Sequence, residues 1–434
     1  MLFEPTQNLF ERVCSLEVLR ESFRAVKRNK GAPGVDGVTI SDFEKHLDKE
    51  LTQLLTELTS WSYCPKPVRR VEIPKPGTNS GIRRLGIPCV RDRVVQASIK
   101  IVLETLFEPI FSDKSYGFRP KRNQQQAVEE AQRYVQAGKS WVVDLDLAAF
   151  FDSIHHDRLI SRLGEVVHDK RILRLIGLTL RSGVMINGVM HATDEGSVQG
   201  SPLSPLLSNV VLDELDKELE KRQLSFVRFA DDANIFVRSK EAAERVMKSI
   251  TLFIEKRLRL TVNREKSKVA LSSHVKFLGM TIINGQIAIA RKSMARAMEK
   301  VKELTPRGTH FPLEKAIGHI NMWYRGWSSY FSMSQFPMQF AVLEAHIRRR
   351  LRARIVRQQK KRRHLYRKLV QRGIKRHAAA RCAYARCKWW YLSHMLAVER
   401  AYPNKWFIEY MGQLIISRKN LEHWNSVKVR VQLP

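Results

Sequence analysis

The sequence predicts an α+β protein in which an antiparallel sheet is backed by helices and followed by a helical, strongly basic region. Three observations carry that expectation. Short runs of strand-forming residues, such as WVVDL from Trp141 and FVRFADDANIFV from Phe226, are set between longer stretches of helical period. Gly/Pro-bearing turns join neighbouring strands as hairpins, which argues against a doubly wound parallel sheet. After about Ala290 the strand signals stop and helices take over.

Residues through Leu58 follow a helical pattern, broken by KGAPGVDGVTI (Lys30–Ile40), whose glycines and proline mark a compact turn. Val68–Pro88 reads as two strands around a Gly/Pro-rich turn, lined by basic side chains. Helices are expected from about Arg91 to Phe107 and from near Gln124, separated by KSYGFRPKRN. SWVVDLDLAAFFDSIHHD (Ser140–Asp157) opens as a strand and leads toward a helix. MINGVM is a hairpin signal with Asn187-Gly188 at its turn. The Gly/Pro-rich GSVQGSPLSP precedes a helix from roughly Pro205 to Arg222. A hairpin within Phe226–Ser239, a helix over Lys240–Leu258 and short strands to Ile289 come next. Beyond the link LTPRGTHFP, Trp323, Trp327, Tyr330 and Phe331 are spaced for one buried helical face.

A chain of 434 residues with 44 % hydrophobic content can bury more than one core, which excludes global disorder. Its net charge of +33, from 76 Lys/Arg against 43 Asp/Glu, favours a polyanionic partner. Between Ile347 and Lys388 lie 18 Lys/Arg and no Asp or Glu, too many cations to seat in one apolar core. No apolar run is long enough to span a bilayer, and no signal-peptide pattern opens the chain. Cys14, Cys64, Cys89, Cys382 and Cys387 do not form a secreted disulfide framework, so reduced thiols are expected.

Asp231 and Asp232 sit side by side where a hairpin must bend, and their repulsion needs an offset. Divalent metal supplies one. Hard Mg²⁺ prefers oxygen ligands and keeps water, so two or three carboxylates suffice for a phosphoryl-transfer centre. Asp146, at the end of a different strand, is the third candidate. A solvated turn explains a lone Asp-Asp equally well, so the surrounding residues decide. Phe151, five positions after Asp146, can pack beneath a nucleotide sugar and sterically disfavour a 2′ hydroxyl, while Phe150 reads as core.

The chain resembles the reverse transcriptases encoded by bacterial group II introns, also called intron maturases. The resemblance runs through Lys30–Gly37, Arg69–Pro88, Tyr116–Asn123, Asp144–His156, Gly196–Pro205, Phe229–Asp232, Asn263–Lys266 and Phe277–Gly279, in the family's order, and WYRGWSSYF resembles its helical thumb. It implies a right-hand polymerase: an N-terminal extension with a template-binding loop (1–60), fingers and palm (61–290), a helical thumb or maturase region (291–370) and a basic nucleic-acid-binding region (371–434). Asp146, Asp231 and Asp232 then form the catalytic triad for two Mg²⁺ ions, with Mn²⁺ an alternative in vitro. Asp144 and Asp152 match non-triad positions. Lys266 matches a basic residue that assists departing pyrophosphate, with Lys268 a close competitor. Lys75 and Arg83 match triphosphate contacts, Phe151 the sugar gate, and Gln199 with Gly200 the nucleotide pocket. Phe229 stands where the family usually has tyrosine, so FADD reads as an active variant.

The resemblance also implies nucleic-acid contacts at Lys30, Arg69, Arg119, Lys121 and Arg122, and the basic run after the thumb offers Arg348, Arg349 and Arg352 as further backbone contacts. Phosphate attraction is sequence-independent, as backbone grip requires. For Arg119 a buried ion pair is the competing reading. Expected partners are structured intron RNA, an RNA template, a DNA primer, deoxynucleoside triphosphates and target DNA, without a membrane; monomer and homodimer both stay open. The expected location is the bacterial cytoplasm, at the nucleoid when bound to DNA. No HNH endonuclease motif and no retron valine-threonine-glycine signature are recognisable. The alternatives are a domesticated enzyme of DNA repair or phage defence, or a non-catalytic RNA chaperone.

Overall fold

The computed structural model describes residues 8–74, 82–186, 189–191, 196, 200–306 and 311–409. Two units divide the chain, Met1–Val275 and Lys276–Pro434. The first carries β1 (Val68–Pro74), β2 (Ile82–Ile87), β3 (Trp141–Leu145), β4 (Val184–Ile186), β5 (Val189–His191), β6 (Ser225–Phe229), β7 (Asp232–Val237) and β8 (Lys268–Leu271). One sheet has the order β6-β7-β3-β8 and is antiparallel throughout. The other has the order β2-β1-β4-β5. There β1 and β4 run parallel at Val68–Val184 and Arg69–Met185, a pairing the antiparallel expectation lacked. It forms because a later hairpin adds to the free edge of β1, where the Val68 N–H donates to the Gly183 carbonyl at 2.9 Å. The Asn187-Gly188 turn lies outside the described residues.

Strands β3 and β7 lie at the centre of their sheet, which explains their nearly continuous apolar runs. Val143, Leu145 and Ile235 pack into one core with Leu206, Val210 and Leu215 of the helix Ser204–Lys221 and Val95, Ile99 and Val102 of the helix Val90–Phe107. Local chemistry starts these helices. Pro205 occupies the first turn of Ser204–Lys221 with its backbone already in helical φ. Asn123 and Gln126 form a capping box ahead of Gln124–Gln136, and the Ser239 hydroxyl accepts the Ala242 N–H ahead of Lys240–Phe253. The helix expected to reach Leu258 does so through a wider π turn, Ile254–Leu258.

Asp92 in this core has a measurable consequence. Burial pushes its carboxyl up to about 6, against the opposing pull of hydrogen bonds from Tyr63 Oη (2.7 Å) and the Lys66 N–H (3.2 Å). The folded value exceeds the unfolded one, so this stabilising contribution is complete below about pH 4 and lost as pH rises through about 6. Relative to Asp92→Asn, whose amide can serve both partners, the wild-type protein gains up to ~3 kcal/mol between pH 7 and 4. Urea unfolding of both proteins across that range checks the sign.

In the second unit, β9 (Met280–Ile283) and β10 (Gln286–Ile289) form a hairpin. Asn284 (φ 49°) and Gly285 (φ 75°) make the two-residue loop, the positive-φ pair such a tight turn demands. Helices follow, chiefly Arg291–Leu304, Leu313–Tyr330, Pro337–Gln358 and Arg362–Gln371. Their core gathers Val301, Ile320, Tyr324, Ile347, Leu351 and Leu365, with Trp323 and Trp327 packed against it.

The helix Pro337–Gln358 buries three arginines of the run that the sequence reads as holding too many cations for one apolar core. Arg350 caps the end of Arg291–Leu304 through Thr305 Oγ1 (2.9 Å) and the Thr305 carbonyl (2.8 Å). Arg354 reaches the carbonyls of Pro306 and Phe311. Arg352 donates to the Tyr402 carbonyl (2.8 Å) and Asn404 Oδ1 (3.0 Å). These carbonyls end helices or turns and have no helical partner, so a guanidinium satisfies them.

Candidate active site

The register of one sheet sets two of the three predicted carboxylates, Asp146 and Asp232, at the same end of adjacent strands, with Asp231 in the adjoining loop. Leu145 at the end of β3 pairs with Ala233 near the start of β7, so Asp146 and Asp232 extend from the same end of adjacent strands. Phe229 pairs with Asp232 across the β6–β7 hairpin, leaving Ala230-Asp231 as its two-residue loop. Asp146 and Asp231 are half-buried and Asp232 is exposed. An apolar sheet centre thus delivers carboxylates from separate stretches of sequence to one solvent-facing edge.

The turn that opens with the Asn263–Lys266 block supports Asp146. The Ser267 hydroxyl accepts the Asp146 N–H at 3.0 Å, and the Asn263 N–H donates to the Asp146 carbonyl at 2.8 Å. Asn263 Oδ1 in turn accepts the Lys266 N–H. This turn sets Lys266 Nζ 3.0 Å from Asp146 Oδ2, with the lysine side chain 64 % exposed and free to swing. Lys268 instead lies across from Asp144 on β8 and donates to the His274 carbonyl. Burial pushes the Asp144 carboxyl up to about 6, Lys268 pulls it back and Asp146 pushes it further.

The donor set fits a hard divalent cation: carboxylate oxygens at one edge, with a lysine ammonium already drawn to one of them. Among the described residues, no group of three or more His, Cys, Asp or Glu side chains is placed to hold a metal ion. Mg²⁺ at a triphosphate needs no complete protein cage, because phosphate oxygens and water complete its shell.

Phe151 lies in a short 3₁₀ turn, Phe150–Asp152, half-buried and edge-on to Phe150 at 5.4 Å between ring centres. Phe150 is core, as expected. The segment expected to line the nucleotide pocket meets the residues after this turn through Gly196, whose N–H donates to the Ile154 carbonyl at 2.8 Å and whose carbonyl lies 2.7 Å from His156 Nε2. Gly200, at φ 115°, leaves no room for a side chain: a Cβ there would stand 2.6 Å from the Gly86 carbonyl oxygen on β2. Lys75 and Gln199 lie outside the described residues. Arg83 pairs with Ile73 in the β1–β2 hairpin.

The predicted nucleic-acid contacts divide. Lys30, Lys121 and Arg349 are exposed, and Arg69 is half-buried on β1. Arg122 is half-buried, pairs with Asp113 at 2.5 Å and lies over the Tyr116 ring. Arg348 is half-buried, 3.6 Å from Glu344. Two assignments are corrected. Arg119 is buried and spends its guanidinium on Glu108 and the Ser112 and Ser115 carbonyls, so its burial binds protein rather than phosphate. Arg352, tied to Tyr402 and Asn404, is structural for the same reason.

Sequence reading also missed Arg228, which is fully buried two residues before Ala230. Its signal was an arginine at an inward position of a strand, between Val227 and Phe229.

Family comparison identifies two domains in the chain. Residues 73–282 match the model described as reverse transcriptase (RNA-dependent DNA polymerase), and residues 294–373 match the group II intron maturase-specific domain. Protein YkfC of Escherichia coli is 33 % identical over 64 % of this chain and 83 % of its own length. The group II intron-encoded protein LtrA of Lactococcus lactis is 28 % identical over 69 % of this chain and 60 % of its own, so the chain spans less than two thirds of that relative. A solved Cas6-RT-Cas1--Cas2 complex shares 26 % identity over 58 % of this chain and 43 % of that one, with a TM-score of 0.37. A polymerase model and a maturase model lie in tandem on one chain, and a relative at 33 % identity is covered over most of its length; the chain belongs to the group II intron reverse transcriptases, RNA-directed DNA polymerases that carry a maturase domain.

Proposed function

We propose that residues 61–290 are the fingers and palm of this polymerase, 291–370 its thumb or maturase region, 1–60 a template-binding extension and 371–434 a further basic nucleic-acid-binding region. The observation that carries the site assignment is the β3–β7 register, which sets Asp146 beside Asp232 at the turn holding Asp231. Asp146, Asp231 and Asp232 would hold Mg²⁺. When bound, the ions make the primer 3′ hydroxyl more acidic and neutralise charge on the triphosphate.

The chain's own groups do the rest. Lys266, released from Asp146, offers its ammonium to the pyrophosphate as the primer oxygen displaces it from the α-phosphorus. Phe151 walls the sugar's 2′ side, so a hydroxyl there meets an aromatic ring. Gly200 lets backbone approach the nucleotide, and Lys75, Arg83 and Gln199 grip the phosphates and base pair. Structured intron RNA is the partner we assign to the maturase domain, with RNA template, DNA primer and target DNA meeting the same basic surfaces. The site of action is the bacterial cytoplasm and nucleoid. No helix among the described residues is long and apolar enough to cross a membrane.

Within the second unit a cleft of about 1270 Å³ is lined by Arg357, Arg362, Arg386, Lys388, Trp389 and Trp390, with Arg362 stacked 4.5 Å above Trp389. This is the surface we assign to RNA phosphate. Arg357→Ala and Lys388→Ala are each expected to lower the slope of log binding constant against log salt by about 1. Filter binding to a structured RNA across a salt series checks it. For the polymerase assignment, extension of a DNA primer on an RNA template with Mg²⁺ and deoxynucleotides is the test. Failure to extend across a broad set of primers and ions overturns it.

A further inference from the structure

Arg228 is fully buried, yet every N–H of its guanidinium has an acceptor. Nε and Nη2 clasp Asp216, itself fully buried, at 2.7 and 2.5 Å. Nη2 also donates to Ser115 Oγ at 2.7 Å. Nη1 divides between Asn209 Oδ1 (3.0 Å) and the Ala230 carbonyl (2.9 Å). These five bonds exhaust its donors.

The last of them reaches the hairpin loop that carries the carboxylates. Ala230 sits at φ 57°, a left-handed conformation that L-alanine adopts only under constraint. A second constraint comes from the neighbouring segment. Asn209 Nδ2 donates to the Gly117 carbonyl at 2.9 Å, and a Cβ on Gly117 would stand 2.2 Å from the Ala230 nitrogen. The loop is thus held from behind by one guanidinium and one closely apposed glycine.

We propose that Arg228, fixed by Asp216, Asn209 and Ser115, is the positioning residue that holds Ala230 left-handed and so sets where Asp231 and Asp232 present their oxygens to metal. The inference rests on the reading of those aspartates as metal ligands. Charge is not the means. Asp216 neutralises the guanidinium through two bonds, so the clamp adds no net cation to compete with the metal. What it supplies is the planar fork, which a lysine ammonium cannot reproduce.

The test uses the full-length protein and direct Mn²⁺ binding, read as loss of the free-ion signal by electron paramagnetic resonance. Arg228→Lys keeps the charge and loses the fork. Gly117→Ala leaves the Arg228–Asp216 pair untouched and pushes on the loop, so it decides alone if Arg228→Lys fails to fold. Both are expected to weaken Mn²⁺ binding about 10- to 100-fold, the range found when groups that orient metal ligands are removed. The Mg²⁺ concentration for half-maximal primer extension should rise in parallel, while RNA binding stays unchanged. Folded variants that bind Mn²⁺ within twofold of wild type overturn the clamp. Wild-type Mn²⁺ binding by Asp231→Ala instead overturns the site reading, and the clamp with it.

Discussion

Asp231→Ala is expected to abolish primer extension on an RNA template, by on the order of 10³-fold or more, while leaving RNA affinity within about twofold. A thousandfold loss corresponds to about 4 kcal/mol of transition-state stabilisation. That magnitude is reasonable because phosphoryl transfer leaves little for a protein to do beyond placing charge and aligning reactants. Asp231 lies in a two-residue loop, so truncating it removes a charge without opening a cavity. Its effect on stability should stay within about 0.5 kcal/mol. Asp146→Ala should match it in activity, but frees Lys266 from its 3.0 Å partner as well. Single-turnover extension with saturating nucleotide, alongside RNA binding in Ca²⁺, separates chemistry from grip. Residual extension above a hundredth of wild type would remove Asp231 from the site.

The site was more legible than its support, for physical reasons. Asp146, Asp231 and Asp232 stand out through the family resemblance of the blocks around them, since a solvated turn explains a lone Asp-Asp equally well. The β3–β7 pairing that joins them follows from two buried strands seeking the centre of one sheet. Arg228 was legible only in outline. An inward arginine in a strand requires an acidic partner, but nothing local says that Asp216, 12 residues earlier on a helix, supplies it. The bracing role of Asn263 and Ser267 carries no sequence signature either, although Asn263 opens one of the family blocks, since a polar turn looks alike whether it holds a neighbouring strand end or only water. The basic helix misled in the opposite direction. Arg350, Arg352 and Arg354 look like surface charge by composition, yet unpaired carbonyls at helix and turn ends draw them inside. The β1–β4 parallel pair was invisible because its partners lie more than a hundred residues apart.

Arg119→Ala should lower the stability of the protein by about 3 kcal/mol and leave the salt dependence of RNA binding untouched. The guanidinium is only 3 % exposed and grips Glu108 through Nε and Nη2 at 2.9–3.1 Å while Nη1 serves the Ser115 carbonyl at 2.9 Å. Removing it leaves a carboxylate and three backbone carbonyls, those of Glu108, Ser112 and Ser115, without their donor. Glu108 is 27 % exposed and recovers some hydration, which places the loss at the low end of the ~3–5 kcal/mol typical of a broken buried pair. Lys121, two residues on and exposed, should behave inversely: Lys121→Ala keeps stability within about 0.5 kcal/mol and lowers the salt slope by about 1. Urea titration and salt-dependent RNA binding on both variants make the comparison, and a fall in slope for Arg119→Ala would return that residue to the nucleic-acid surface. Glu108→Gln adds the decisive term. If Arg119 acts through its ion pair, the double variant should lose less than the sum of the singles, because each single change already forfeits the same interaction.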